Sequence, residues 1–356
     1  MELNGGGLEE FEQVVVRRGP RSGLEMVVAI HSTALGPALG GVRLWHYDST
    51  EDGIADALRL ARGMTYKAAA SGLDLGGGKG VICARSPEPP AGAEREALLL
   101  DFGDLVESLG GRYITAEDVG ISPADLVAIR SRTRHVTGLP PEHGGSGDPS
   151  PFTALGVEVA IRACVRERIG TSDLRGLHAV IVGVGHVGEK LARRLAAAGA
   201  RLTLSDIAPA RRALAAELGA GWAEPGAAML AECEVLAPCA LGGAINRANA
   251  GRLRCRIVCG SANNQLEDDS LAAELARRGV LYAPDFIVNA GGLIHVYKEL
   301  RGYSEERARQ LVLGIEDALD RILLHARQTG ATPLAAAYEL ARQRLAAAER
   351  LTGAAA

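Results

Sequence analysis

A chain of 356 residues, 47% hydrophobic and 23% charged, is long enough for two cores and too apolar to remain disordered. Its net charge of -4 lacks the basic surplus that nucleic-acid binding requires, so the expected partners are small molecules, with no nucleic acid and no membrane. The six cysteines, Cys83, Cys164, Cys233, Cys239, Cys255 and Cys259, form no CxxC pair and no Cys/His cluster of metal-binding spacing, which predicts reduced thiols and no metal.

Met1 to Phe11 is acidic and glycine-rich, without the basic start and apolar middle of a signal peptide. No run approaches the roughly 20 apolar residues that span a bilayer, and a cytoplasmic protein is expected. Two strands follow, Gln13 to Arg17 and Leu24 to His31, joined by the turn-rich Arg18-Gly19-Pro20-Arg21-Ser22-Gly23. Gly36 to Trp45 reads either as close backbone contact with a ligand, through Gly40, Gly41 and Arg43, or as a plain turn before a strand. From Glu51 to Lys67 the apolar residues Ile54, Ala57, Leu58 and Ala61 keep a helical period.

Lys67 is expected at the end of that helix. Lys79 is expected on the turn formed by Gly76-Gly77-Gly78, before a strand Val81 to Ala84. Two lysines about one hairpin apart, the second after three glycines that open the backbone, suit an anion; the alternative is a pair of solvated surface lysines. A helix over Glu94 to Leu109 leads to Tyr113-Ile114-Thr115-Ala116-Glu117-Asp118, a short β-like run ending in two carboxylates. Asp118 is a candidate proton acceptor or a helix cap, although Ser122-Pro123 is itself a helix start.

His143 to Pro151 is the clearest loop in the chain and is expected to act as a hinge. A helix from Phe152 to Glu167 then enters a second domain. There an apolar strand, Leu177 to Val182, runs into Gly183-Val184-Gly185-His186-Val187-Gly188, a helix from Glu189 to Ala198, and a strand Arg201 to Leu204 ending at Ser205-Asp206. Strand, GxGxxG, helix, strand and acid in this order form a dinucleotide fingerprint. The glycines admit a pyrophosphate to the start of a helix, and Asp206 suits ribose hydroxyls and repels the extra phosphate of NADP, so the expected cofactor is NAD. Arg211 could soften that preference, Arg212 reads as surface, and His186 is expected to face solvent. Strands Glu234 to Leu236 and Arg256 to Cys259, a helix Ser270 to Arg278, a long amphipathic helix Ser304 to Gln328 and a final helix Thr332 to Arg350 complete the chain.

Seven stretches, Leu-Gly-Gly-Val-Arg, Met-Thr-Tyr-Lys, Leu-Gly-Gly-Gly-Lys, Ala-Glu-Asp-Val-Gly, Gly-Val-Gly-His-Val-Gly, Ser-Ala-Asn-Asn-Gln and Val-Asn-Ala-Gly-Gly, stand between about Ser32 and Tyr303. In them the chain resembles the glutamate/leucine/phenylalanine/valine dehydrogenase family. The resemblance implies two α/β domains separated by a cleft: residues 1–143, with a C-terminal helix over about 330–356, binding substrate and mediating oligomerisation, and a Rossmann-type doubly wound NAD-binding domain over 144–329. It also implies a homo-oligomer and the NAD-dependent, reversible oxidative deamination of an L-amino acid to a 2-oxo acid and ammonia.

By that resemblance Lys67 binds the substrate carboxylate, with Gly40 and Gly41 beside it. Lys79 and Asp118 are catalytic, and Asn263 lies between substrate and nicotinamide. Arg43, Ser150, Thr153, Ala240 and Arg211 fall on cofactor-contacting positions, as do Gly183, Gly185, His186, Val187, Gly188 and Asp206. Leu39, Ala116, Leu293 and Val296 surround the substrate side chain. All four are uncharged, which disfavours glutamate and favours a branched aliphatic substrate, leucine with valine and isoleucine, over an aromatic one.

Overall fold

The computed structural model describes residues 7–302 and 304–353. The chain start up to residue 6, where the N-terminal reading begins, and Tyr303, where the family resemblance ends, lie outside the described residues. Two compact units emerge. The first takes residues up to Gly147, Val296–Gly302 and residues from Ala341 on; the second takes Asp148–His295 and residues between there and Leu340.

In the first unit β-branched runs make β1 (Gln13–Arg18) and β2 (Glu25–Ser32), and β3 (Ala38–His46) follows. Helix α1 (Thr50–Ala70), β4 (Gly76–Ala84), α2 (Gly92–Glu107), β5 (Tyr113–Glu117) and α3 (Pro123–Arg130) follow. The five strands form one sheet in the order β1-β2-β4-β3-β5. β2 is antiparallel to β1 and β4, whereas β3 runs parallel to β4 and β5, so β3, β4 and β5 end on the same edge. Ser49 caps α1 by accepting from the Asp52 amide. Ser122 and Asp125 form a reciprocal capping box on α3, which leaves Asp118 outside the cap.

One sequence expectation changes here. Lys79 and the glycines before it stand within β4, not on a turn preceding it. Gly76 to Ile82 are all buried, because the strand is flanked by β2 on one side and β3 on the other.

The second unit opens with α4 (Ser150–Ile169) and continues through β6 (His178–Val182), α5 (His186–Ala197), β7 (Arg201–Ser205), α6 (Arg212–Glu217), β8 (Gly221–Trp222) and α7 (Pro225–Met229). Then come β9 (Cys233–Pro238), β10 (Cys255–Val258), α8 (Leu271–Arg277), β11 (Leu281–Tyr282), α9 (Asp285–Val288) and α10 (Gly291–Arg301). All six strands are parallel, in the order β11-β10-β9-β6-β7-β8. This is the doubly wound order, with its switch point between β6 and β9. The core of this sheet is buried Val180, Leu236, Val258, Leu271, Leu275 and their neighbours.

The long helix expected from Ser304 to Gln328 is two helices, α11 (Glu305–Leu313) and α12 (Ile315–Thr329). Gly314 closes the first and opens the second, at the residue with the weakest helical preference in the run. The last helix, α13 (Pro333–Gly353), begins in the second unit and ends in the first. No helix among the described residues is long and apolar enough to cross a membrane.

Candidate active site

Side chains along β4 alternate between the two faces of the sheet. A Cβ at Gly77 would lie 2.1 Å from the Thr65 backbone nitrogen of α1, whereas one at Gly78 or Gly80 would meet Tyr113 at 2.7 Å or Phe102 at 2.5 Å. Residues 77, 79 and 81 therefore face α1. Val81 packs there with Ala57, Leu58 and Ala61, and Lys79 stands one pleat further along. The glycines before Lys79 serve the protein's own packing: they let α1 and β5 close on β4. They do not leave a turn open to ligand.

By the same alternation Leu39, Gly41 and Arg43 of β3 point to that face, in register beside β4. Gly41 has a local reason to be glycine, since a Cβ there would stand 2.8 Å from the Asp118 Cβ. Asp118, one residue past β5, is thereby brought against β3.

The result is a charged cluster. Lys79 Nζ lies 2.8 Å from Asp118 Oδ2, and Arg43 Nε donates to the same oxygen at 2.9 Å. Arg43 Nη1 donates to Asp56 Oδ2 at 2.8 Å, and the Tyr47 hydroxyl donates to that oxygen at 2.8 Å. Arg59 pairs with the other Asp56 oxygen at 2.7 Å. Lys79 is only 5% exposed.

Burial pulls the Lys79 ammonium below its ordinary value, Arg43 adds to the depression, and Asp118 opposes both. Burial alone would raise the Asp118 carboxyl, but Lys79 and Arg43 outweigh it and hold it below the usual carboxylate value. Asp118 is thus held ionised, while Lys79 gives a proton up more easily than a surface lysine. Arg43 shares Lys79's carboxylate partner.

Lys67 lies half-buried in the last turn of α1. That end of α1 is tied down by Arg344 of α13, whose Nη1 donates to the carbonyls of Ala69 at 2.9 Å and Leu73 at 2.8 Å. The Gly40 carbonyl accepts from the buried Tyr113 hydroxyl at 2.6 Å, and a Cβ on Gly40 would collide with the Gly78 carbonyl oxygen at 1.8 Å. Leu39 is buried on β3, Ala116 is half-buried on β5, and Val296 is half-buried on α10, all in the first unit. Leu293 is buried in the second unit.

In the second unit β6 ends on Gly183, whose φ of +97° is left-handed. Its missing Cβ leaves room for Ala240, which otherwise would sit 2.6 Å away. Gly185 is the N-cap of α5 and has open space where a Cβ would stand. Gly188 packs against the Gly183 carbonyl, where a Cβ would come within 1.9 Å. Asp206 follows β7 and accepts from the Val184 amide at 2.8 Å and the Ala208 amide at 2.9 Å, which fixes its carboxylate beside the glycine turn.

An open glycine at a helix N-terminus, a crowded glycine beneath it and an acid fixed at the end of the next strand fit a dinucleotide. His186 is exposed and Val187 half-buried in the first turn of α5, and Arg211 pairs with Glu189 at 3.1 Å. Ser150 donates to Asp148 at 2.7 Å, and Thr153 donates to the Pro149 carbonyl at 3.1 Å. Exposed Asn263 accepts from the side-chain amide of buried Asn289 at 2.7 Å.

Three participants escaped the sequence reading. Tyr47 and Asp56 give no motif, because an acid on an amphipathic helix looks like a solvent-facing one. Asn289 stood within a quoted motif, Val-Asn-Ala-Gly-Gly, and that was its signal. No group of three or more His, Cys, Asp or Glu residues among those described is placed to hold a metal.

Comparison with known proteins agrees with this geometry. Residues 12–135 match the family described as Glu/Leu/Phe/Val dehydrogenase, dimerisation domain, and residues 212–353 match Glutamate/Leucine/Phenylalanine/Valine dehydrogenase. A leucine dehydrogenase of Thermoactinomyces intermedius is 45% identical over 94% of this chain and 91% of its own length. A valine dehydrogenase of Streptomyces coelicolor is 44% identical over 95% and 93%. The crystal structure of L-tryptophan dehydrogenase from Nostoc punctiforme superposes with a TM-score of 0.85 at 39% identity, covering 96% of this chain and 97% of that one. The chain therefore belongs to the glutamate/leucine/phenylalanine/valine dehydrogenase family and is an amino acid dehydrogenase, an oxidoreductase that works with a nicotinamide cofactor.

Proposed function

We propose that this enzyme oxidatively deaminates a branched aliphatic L-amino acid, leucine foremost with valine and isoleucine beside it, to the 2-oxo acid and ammonia, and runs the reverse amination. The observation that carries the reading is the contact at 2.8 Å between buried Lys79 and half-buried Asp118, with a carboxylate kept ionised and an ammonium made easier to deprotonate.

Lys67 binds the substrate carboxylate. A hydride leaves the α-carbon only from a neutral amine, so Asp118, ionised beside its two cations, takes the ammonium proton. Gly183, Gly185, Gly188 and Asp206 would hold a nicotinamide dinucleotide, which would supply the hydride acceptor, and Asn263 matches the family position for contact with the nicotinamide. Lys79, once its own proton has passed to solvent, takes a proton from water as the water adds to the iminium carbon and returns it to the amine; ammonia then departs as the hydroxyl proton leaves to solvent, which gives the 2-oxo acid. Asp206 gives the cofactor a carboxylate suited to ribose hydroxyls and hostile to a 2'-phosphate, which supports NAD over NADP.

The positions that the family resemblance assigns to the substrate side chain, Leu39, Ala116, Leu293 and Val296, carry no cation, so a glutamate side chain desolvated there would go uncompensated at a cost of several kcal/mol. The named activities of the leucine and valine relatives support the aliphatic reading, and that of the tryptophan relative supplies its rival. Steady-state kcat/KM for leucine, valine, phenylalanine and tryptophan, each with NAD and with NADP, decides among them. A large preference for an aromatic amino acid overturns the substrate assignment, and a preference for NADP overturns the reading of Asp206. Lys79→Ala is expected to abolish turnover while leaving NAD affinity nearly intact; near-normal activity in that variant removes Lys79 from the mechanism. A homo-oligomer is expected from size-exclusion chromatography with light scattering.

A further inference from the structure

Arg43 stands between two carboxylates, and only one of them belongs to the proton-handling pair. Its Nε donates to Asp118 at 2.9 Å and its Nη1 to Asp56 at 2.8 Å, so the plane of the guanidinium is fixed at both ends. Asp56 comes from the sheet-facing side of α1 and is itself held by the Tyr47 hydroxyl at 2.8 Å. Tyr47 is wedged against α1 where residue 53 is glycine: a Cβ at Gly53 would lie 3.5 Å from the Tyr47 ring and 2.6 Å from the Cys83 sulfur.

Asp118 alone would face two cations, Lys79 and Arg43, at 2.8 and 2.9 Å. Asp56 supplies the second anion and brings the buried cluster to zero net charge, with Arg59 more than half exposed and screened at its rim.

We propose that Asp56 is a positioning residue for the deamination: it holds Arg43 between its own carboxylate and that of Asp118, and so divides the charge of one cation between the two. The role rests on the proposed assignment of Lys79 and Asp118 as the pair that moves protons. The groups facing the cluster are Lys79 and Cys83 from β4, Arg43 from β3, Tyr47 after β3, Asp118 after β5, and Asp56 and Arg59 from α1. Burial pushes the Cys83 thiol up to about 11 and the Tyr47 hydroxyl up as well, so neither titrates with the pair near neutral pH.

The sign of the effect follows from the charges. Asp56 raises Lys79 by its negative charge and, by drawing on Arg43, weakens that cation's hold on Asp118. Making residue 56 neutral moves both groups to lower pH, and the acid limb of the pH profile moves with them.

The test uses the full-length enzyme, NAD, and whichever amino acid the unaltered enzyme prefers. Asp56→Asn and Asp56→Ser are made in parallel, checked by thermal melting, and compared with wild type and Lys79→Ala. The proposal expects the acid limb of kcat/KM to move down by about half a pH unit or more, kcat to fall severalfold, and KM to stay within about twofold. A folded neutral variant with a wild-type pH limb overturns it. Failure of both variants to fold also overturns it, assigning Asp56 to the stability of the junction between α1 and the sheet. If Lys79→Ala stays active, the underlying catalytic assignment has failed; if Lys79→Ala is dead while Asp56→Asn keeps the wild-type limb, only the role of Asp56 has.

Discussion

The glycines of β4 are crowded, and the glycine at the start of α5 is not. A Cβ at Gly76, Gly77 or Gly78 would run into the Ser32 carbonyl, the Thr65 backbone or the Tyr113 ring, whereas a Cβ at Gly185 would meet no other protein atom within 4 Å. At Gly76, Gly77 and Gly78 the place of the missing side chain is filled by the protein itself; at Gly185 it is open. A glycine with backbone against it speaks for packing, and the open one at the start of α5 leaves room for the proposed cofactor.

The sharpest way to break this contrast is Gly77→Ala. The added methyl would stand 2.1 Å from the Thr65 nitrogen and 2.5 Å from its Cα, backbone atoms that cannot rotate away, so α1 must shift. A loss of about 3 kcal/mol is expected in urea unfolding. An unchanged unfolding midpoint would show that α1 is not seated on β4 as described.

Gly185→Ala is the converse. Its φ of -71° suits any residue, so stability without cofactor is expected to hold within about 0.5 kcal/mol, while NAD affinity falls by about tenfold. Equal NAD titration curves for the two proteins would dissolve the distinction between the two stretches. The smallest effect is expected from Arg344→Ala, which leaves carbonyls at the end of α1 to water. A rise in amino-acid KM of a fewfold, with kcat little changed and stability lower by about 1 kcal/mol, is expected because Lys67 rides on that turn. A change confined to kcat would disconnect Arg344 from carboxylate binding.

Legibility in the sequence divides along similar lines. The run from β6 through Gly183 to Asp206 is local, and each step leaves its own mark in composition and spacing, so the order of strand, helix and strand there could be read directly. Lys79 and Asp118 were visible because short motifs surround them. Lys79's setting was not, since a glycine says nothing of what stands opposite it, and Thr65, Tyr113 and Phe102 reach β4 only through long-range packing. Asp56 escaped for the same reason: its partners Arg43 and Tyr47 come from another element. The break at Gly314 was hidden because the apolar period continues on both sides of it.

The clasp of Arg344 on the end of α1 has a consequence in time. Its Nη1 reaches the carbonyls of Ala68, Ala69 and Leu73, and Ala68 is 276 residues earlier in the chain. During synthesis the helix that carries Lys67 emerges before the second unit, yet Arg344, which clasps its end, arrives only after all of the second unit has been made. The end of the first unit that carries Lys67 is therefore completed only after the second unit has been made, although most of the first unit's residues precede it.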